Sequence, residues 1–231
     1  IEHFRSQYLD TILGALRTLA RPAGTDYMIS IAGDATAQIE RRRGVLSAVE
    51  GAIRPENAPA LIAIATAPGD VELRGIAVTR LGETRNPALV AQLWPVFDTT
   101  NGGEANSEYM LRWKAGEAIL KLGGPALLTE FATHVATPRV PPRGVTPPPP
   151  PFEGFTFAEI NGYALAAGDF QPTPRDAMRA LLASSPSPFV KTMALLFLGQ
   201  RGEAADLPRI EALLTDTTAL TGAGWNVAGA T

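Results

Sequence analysis

The chain has 231 residues, of which 45% are hydrophobic and 19% are charged, and its formal net charge is −3. This composition is typical of a folded protein that is long enough to bury a large core. The small acidic balance gives no general attraction to nucleic acid or to an anionic membrane. Because the sequence has no cysteine, disulfides, thiolate metal sites and cysteine nucleophiles are excluded. No run of about 18 apolar residues occurs, so no membrane span is predicted.

Residues 1–24 predict an N-terminal helix that caps the fold. Apolar residues recur at helical spacing between Ile1 and Leu19, and we expect the sequence Arg21-Pro22-Ala23-Gly24 to end the helix. The polar face of this helix carries both signs of charge, which favours a structural cap over a membrane-surface helix.

Three weaker helices are predicted next, over 26–39, 44–53 and 58–67, and together they form a degenerate repeat. Residues 41–43 are three consecutive arginines. We interpret them as a solvated rim, with contact to phosphate or to an acidic partner as the open alternative.

Residues 70–98 predict two short helices placed back to back. The first covers Val71 to Leu81, the chain breaks at 82–86, and the second begins with Pro87. Each helix carries one apolar stripe at helical spacing, and neither helix can bury that stripe alone.

The spacing Ala-x-x-x-Leu-Gly occurs three times, at 77–82, 118–123 and 194–199. The first two copies are 41 residues apart, which lies within the period of roughly 40–47 residues expected for repeated helix pairs. We expect the alanine to admit the backbone of the next repeat, the leucine to fill the layer between helices, and the glycine to end the helix in the left-handed conformation.

This pattern resembles the bacterial HEAT and HEAT-like repeats of the PBS-lyase type, most clearly in Asp70-Val71-x-x-Arg74-x-x-Ala77-x-x-x-Leu81-Gly82 and again in 187–216. The likeness is weaker in 107–135, where Lys114 and Glu117 replace apolar residues. The resemblance implies an all-α, right-handed α-solenoid of stacked antiparallel helix pairs that holds other molecules. It implies no catalytic residue and no cofactor.

A Pro-rich and Phe-rich insertion is predicted over 137–175, since the third copy follows the second after 76 residues. Residues 138–151 contain eight prolines, so polyproline II is expected there. The segment is interpreted as a stiff strap on the solenoid or as a ligand for an aromatic-lined groove. Three aromatic residues follow, at 152, 155 and 157, and we expect Phe155 and Phe157 to dock onto the repeats or onto a partner.

The domain organisation predicted from these features is a single solenoid domain. It comprises N-terminal repeats over 25–136, the insertion, a C-terminal repeat over 176–216 and a Gly-rich tail over 217–231. Short helices are expected over 158–167, inside the insertion, and over 175–183, as the return half of a repeat.

The sequence predicts no catalytic or metal site. Its two histidines, His3 and His134, have no carboxylate at a spacing suited to joint metal binding. No phosphate-binding loop, dinucleotide fingerprint or hydrolase motif occurs. The acidic residues are scattered, so no cofactor is expected.

The function predicted is that of a non-catalytic scaffold or accessory subunit of a larger assembly. It is expected to bind another protein, whose identity the sequence does not give, across the concave solenoid face and through the Pro-rich strap. Candidate partner-binding residues are Arg74, Trp94, Arg112, Trp113, Pro147, Phe152, Phe155 and Phe157. The alternative is a HEAT-like enzyme or nucleic-acid binder similar to the bilin lyases or the alkylpurine DNA glycosylases, and the net charge makes nucleic acid the less favoured partner. The lack of an initiating methionine and of cysteine favours an exported protein slightly, and the compartment stays open.

Overall fold

The computed structural model describes residues 11–12, 14–15, 21–99, 106–137 and 155–216. All regular structure within these ranges is helical, which confirms the predicted all-α class. The α-helices are α1 (Arg21–Gly33), α2 (Ile39–Ala48), α3 (Ala58–Thr66), α4 (Val71–Glu83), α5 (Val90–Thr99), α6 (Asn106–Gly123), α7 (Leu128–Ala136), α8 (Phe157–Gly168), α9 (Arg175–Ser184), α10 (Pro188–Arg201) and α11 (Leu207–Glu211). Short 3-10 turns lead directly into α3, α5, α7 and α11.

Two rows of helices make up the described part of the molecule. We call α2, α4, α6, α8 and α10 the close row, because each of these helices packs extensively against the next. We call α1, α3, α5, α7 and α9 the open row, because from α3 onward its successive helices touch much less. The rows are joined by packing of α1 on α2, α3 on α4, α5 on α6 and α9 on α10.

Four aromatic side chains fill the core between α5, α6, α7 and α8. Phe97, Phe131, Phe155 and Tyr163 are each at most 2% exposed, and their ring centroids are 5.2–6.1 Å apart. Phe155 therefore docks onto the helices of this chain, which is one of the two predicted alternatives; the other was docking onto a partner. It brings the chain that follows the prolines into the core.

The three Ala-Leu-Gly copies lie in like surroundings, since all of them are in close-row helices and their alanines and leucines are buried. The predicted role of the glycines is wrong. Gly82 lies inside α4, and Gly123 has φ −90°. A Cβ at Gly82 would lie 3.3 Å from the Cα of Ala118, so this glycine is needed because α6 approaches closely.

The predicted pairing of 71–81 with the helix from Pro87 is also corrected. The helix at 71–83 packs chiefly on α3 and α6, whereas α5 packs chiefly on α6. The helix that carries the Ala-Leu-Gly pattern is thus the second member of its pair. An apolar stripe shows that a helix is buried but does not show which neighbour covers it.

The sequence Arg21-Pro22-Ala23-Gly24, which is expected to end a helix, is itself helical and belongs to α1. Most of the predicted capping helix, residues 1–10, 13 and 16–20, lies outside the described residues, as do the strap at 138–154 and the tail at 217–231.

Residues 157–168 differ most from the domain organisation predicted from the sequence. The stretch was placed inside the irregular insertion with a short helix, and it forms α8, which packs between α6 and α10 in the close row. Thr156 and Glu159 form a reciprocal capping box at its first turn, which satisfies backbone N–H groups that have no helical partner.

Candidate functional site

A groove of about 700 Å³ crosses the C-terminal ends of α2, α4, α6 and α8. Each of these helices and the turn that follows it contributes part of the wall. The residues that line the groove include Glu50, Gly51, Ile53, Thr79, Arg80, Glu83, Arg85, Lys121, Gly124, Asp169, Phe170 and Gln171.

The end of the groove at α2 and α4 is held by Arg80, which is buried. Its Nε donates to the carbonyl oxygen of Leu46 at 3.2 Å and its Nη2 to that of Ser47 at 3.3 Å. The same guanidinium binds Glu83, whose other carboxylate oxygen accepts from the Gly51 N–H at 2.9 Å. Arg80 therefore stabilises the carbonyl end of α2, and its charge is compensated by Glu83.

The turns that follow α2, α4 and α6 each contain one residue with a positive φ on the groove wall. These residues are Gly51 with φ 70°, Arg85 with φ 50° and Gly124 with φ 62°. Arg85 is the one non-glycine residue with a positive φ in the described chain. A side chain in this left-handed region costs roughly 1–2 kcal/mol because Cβ crowds the backbone.

Arg85 and Lys121 are the exposed cations of the groove. Neither side chain makes a hydrogen bond or an ion pair within the described residues. The stem of Lys121 lies along Gly82, with its Cδ 3.7 Å from the position that a Cβ there would take. The groove thus presents two cations that have no counter-ion within the described part of the chain.

A partly buried tryptophan of α6, Trp113, packs against α8. The Trp113 ring lies against Gly162, where a Cβ would be 2.2 Å from the indole nitrogen. That nitrogen donates to Glu117 at 2.7 Å, and Lys114 Nζ lies 5.3 Å from the ring centroid. Leu165 on α8 is 49% exposed, so this part of the close row offers apolar contact area.

Two of the predicted partner-binding residues are not at the surface. Arg112 is fully buried, and its Nε and Nη2 donate to the two carboxylate oxygens of Glu159 at 2.6 and 2.7 Å. Its guanidinium lies 4.5 Å from the centroid of the Phe155 ring, which is also buried. A buried charge requires such a partner, so Arg112 joins α6 to α8 and is not available to another molecule.

The other predicted residues have separate environments. Arg74 donates through Nε to the Ala65 carbonyl at the end of α3, at 2.9 Å. Trp94 lies in the open row, where it stacks on His134 with centroids 3.7 Å apart. Phe157 is 44% exposed at the start of α8. Pro147 and Phe152 lie outside the described residues.

Sequence reasoning missed Arg85 and Lys121. The signal for Arg85 was the turn Gly-Glu-Thr-Arg-Asn-Pro between two helices, where a glycine or asparagine usually takes the left-handed position. Lys121 gave no signal, because a lysine in the last turn of a helix is ordinary.

Within the described ranges, no three His, Asp or Glu side chains are grouped to hold a metal ion. Each helix in the described part of the chain is too short or too polar to cross a bilayer. No family model, curated protein or solved structure matches the chain.

Proposed function

We propose that the chain is a right-handed, HEAT-like α-solenoid that serves as a non-catalytic scaffold or accessory subunit and binds another protein in the groove. The observation that carries this proposal is the groove itself, which crosses four successive helices of one row. A site assembled from the ends of several stacked repeats suits an extended macromolecular ligand.

The unequal packing of the two rows supports a curved stack. Helices of the close row approach through small residues, as at Gly82 beside Ala118 and at Gly116 beside Tyr163. Helices of the open row touch much less from α3 onward. A stack that is spaced more tightly along one row bends toward that row, so the close row would form the concave side.

The charges of the groove favour a protein over a nucleic acid. Its ionisable lining residues are three carboxylates and three cations, namely Glu50, Glu83, Asp169, Arg80, Arg85 and Lys121. A nucleic-acid site needs a stripe of positive charge along the phosphate backbone. Trp113 and Leu165 would add the aromatic and apolar contacts that dominate protein interfaces.

Site-specific photocrosslinking in the cells that make the protein tests the proposal. A photoreactive phenylalanine analogue at Thr79 or Gln171, both on the groove wall, is expected to trap a discrete protein adduct. The matched control is Tyr27, which is exposed on the open row and is expected to trap none. Equal adducts at Tyr27, or none at either groove position, would contradict the proposal.

A further inference from the structure

We infer that the groove takes an acidic segment of the partner protein, with Arg85 and Lys121 binding its carboxylates. This inference rests on the proposed function, because it names the chemistry of the ligand at the same site. It begins from the distribution of paired and unpaired charges in the described chain.

Most arginines in the described chain are already engaged by carbonyls or carboxylates. The engaged residues are Arg42, Arg43, Arg54, Arg74, Arg80, Arg112, Arg175, Arg179, Arg201 and Arg209. Among the cations whose side chains are described, Arg41, Arg85, Lys121 and Lys191 make no such contact. Two of these four lie together on the wall of one groove.

The carboxylates of the groove each have a cationic neighbour. Glu83 binds Arg80, Glu50 lies 3.4 Å from Arg80, and Asp169 lies 3.9 Å from Arg201. The two lining charged residues that make no ion pair within the described chain are therefore both cations, Arg85 and Lys121. A ligand that brings negative charge to Arg85 and Lys121 would complete the pairing.

The backbone of Arg85 gives an independent reason to assign it to binding. Of the three left-handed residues in the turns after α2, α4 and α6, two are glycines and the third is Arg85. A glycine at 85 would relieve the backbone, so an arginine there sacrifices stability for a guanidinium on the groove wall. Residues held in unfavourable backbone conformations cluster at ligand sites.

The chemistry of the two cations favours carboxylates that are spaced along a peptide. A guanidinium binds a carboxylate through two parallel hydrogen bonds, and a lysine ammonium acts as a point charge. The carbonyl ends of α2, α4, α6 and α8 carry partial negative charge and lie along the same groove with three carboxylates. A segment with a few spaced carboxylates is repelled less by these groups than a phosphate backbone, which carries a negative charge on every nucleotide.

Selection from a phage-displayed library of random 12-residue peptides on the immobilised full chain tests the inference. We expect the enriched peptides to carry at least two Asp or Glu residues. Arg85→Gln and Lys121→Gln are each expected to weaken binding of the best peptide by about fivefold, in a salt-dependent way. The matched controls, Arg41→Gln and Lys191→Gln, remove unpaired cations elsewhere and are expected to leave the Kd within about twofold.

Arg85→Gly provides the second arm of the test. We expect it to raise Tm by about 2–4 °C, since it removes the side chain from a left-handed backbone position. We expect it to weaken binding of the acidic peptide as much as Arg85→Gln does. A loss of binding by a better-folded variant cannot come from unfolding. A lower Tm for Arg85→Gly together with unchanged binding would overturn the assignment of Arg85.

The outcomes separate this inference from the proposed function. The inference would be overturned if the enriched peptides were neutral or basic. It would also be overturned if acidic peptides bound Arg85→Gln and Lys121→Gln as tightly as the unchanged protein. Either result would leave the scaffold proposal standing. A single-stranded oligonucleotide that competes with the peptide and depends on the same two cations would overturn the choice of a protein segment. Failure of both peptide selection and photocrosslinking at the groove would overturn both.

Discussion

Glycine residues in the close row differ in how closely other atoms approach them. A Cβ on Gly116 would lie 2.4 Å from the ring of Tyr163 and 3.0 Å from that of Phe97, and both rings are fully buried. A Cβ on Gly75, also within a close-row helix, would meet no atom within 4 Å. Gly116 is therefore fixed by the neighbouring helix, whereas Gly75 has no such constraint.

These two glycines should respond to the same substitution with opposite signs. Gly116→Ala should destabilise the fold by about 1–3 kcal/mol, because the buried ring of Tyr163 must shift. Gly75→Ala should stabilise it by about 0.5–1 kcal/mol, because alanine loses less backbone entropy in a helix. The free energy of unfolding from urea titrations measures both. A Gly116→Ala variant that is no less stable than the wild type would refute the close approach of α6 and α8.

Sequence patterns predicted the burial of residues better than their partners. The alanines and leucines of the repeated pattern are buried as predicted, because helical spacing reports which face is covered. Arg112 was placed at the surface, and its partner Glu159 is 47 residues away. The left-handed conformation of Arg85 was also missed, because the repeated glycines took that role in the prediction. Contacts between distant segments have no local signature.

The buried pair of Arg112 and Glu159 joins two elements, α6 and α8. Glu159 also accepts from the Thr156 N–H at 2.8 Å, so its carboxylate fixes the first turn of α8. Tyr163 donates to the Arg112 carbonyl at 3.4 Å. Removal of one charge would leave the other buried without its counter-ion.

We predict that Arg112→Met lowers the free energy of unfolding by about 3–5 kcal/mol, because the Glu159 carboxylate stays buried and unneutralised. The double change Arg112→Met and Glu159→Gln should recover part of this loss, since glutamine is neutral and can still accept from Thr156. Lys114→Met, in a partly exposed pair with Glu117, is the control and should cost less than about 1 kcal/mol. A double variant that is less stable than Arg112→Met would contradict this account.

A second ionic cluster ties α9 to the turn before α11. Asp206 is buried and accepts from Arg179 Nε at 2.7 Å, from Arg179 Nη2 at 2.9 Å and from the Glu203 N–H at 2.9 Å. The hydrogen bonds from Arg179, and next that from the Glu203 N–H, hold the pKa of Asp206 well below its ordinary value of 3.8.

A depressed carboxyl pKa gives a definite dependence of stability on pH. The contribution of Asp206 is fully present above the unfolded value of 3.8, and it is lost as the pH falls from there toward the lower folded pKa. We therefore expect the free energy of unfolding to fall with acidification below about pH 4. Asp206→Asn should be less stable at pH 7 and should show a shallower fall in urea titrations between about pH 4 and pH 2. Equal slopes for the two proteins would disprove the role of this pair.

Element boundaries were predicted unevenly along the chain, since the helices predicted at 26–39 and 44–53 are displaced by five or six residues from α1 and α2. The predicted helices at 158–167 and 175–183 match α8 and α9 to within one residue at each end. The place of α8 in the close row was missed because Tyr163 stands where the repeated pattern has alanine, as in Tyr163-x-x-x-Ala167-Gly168. The aromatic ring fills the space that Gly116 leaves open. A large residue on α8 thus faces a small one on α6, where the other copies have alanine on the corresponding helix. A pattern defined on one helix at a time does not detect this substitution.

At the scale of the whole molecule, the groove is a product of stacking. Its walls come from 50–53, 79–85, 121–125 and 166–171, and no single segment carries a recognisable motif. The net charge of −3 does not reveal that two cations on one wall make no ion pair within the described residues. The sequence could therefore predict a helical stack and a binding role, whereas the position of the groove required the three-dimensional arrangement.

The proposed curvature follows from the unequal packing of the two rows, and it determines which surface is concave. Because the chain has no cysteine, spin labels can be introduced at chosen pairs of positions without background. Ser47 and Gln200 are exposed on α2 and α10, at the two ends of the close row. Ser30 and Ala180 are exposed on α1 and α9, at the two ends of the open row.

Pulsed electron–electron double resonance on these two doubly labelled proteins measures the curvature directly. The solenoid proposal predicts a shorter distance between labels at 47 and 200 than between labels at 30 and 180, because the stack bends toward the close row. Equal distances, or a longer distance across the close row, would contradict the proposal that the close row forms the concave side.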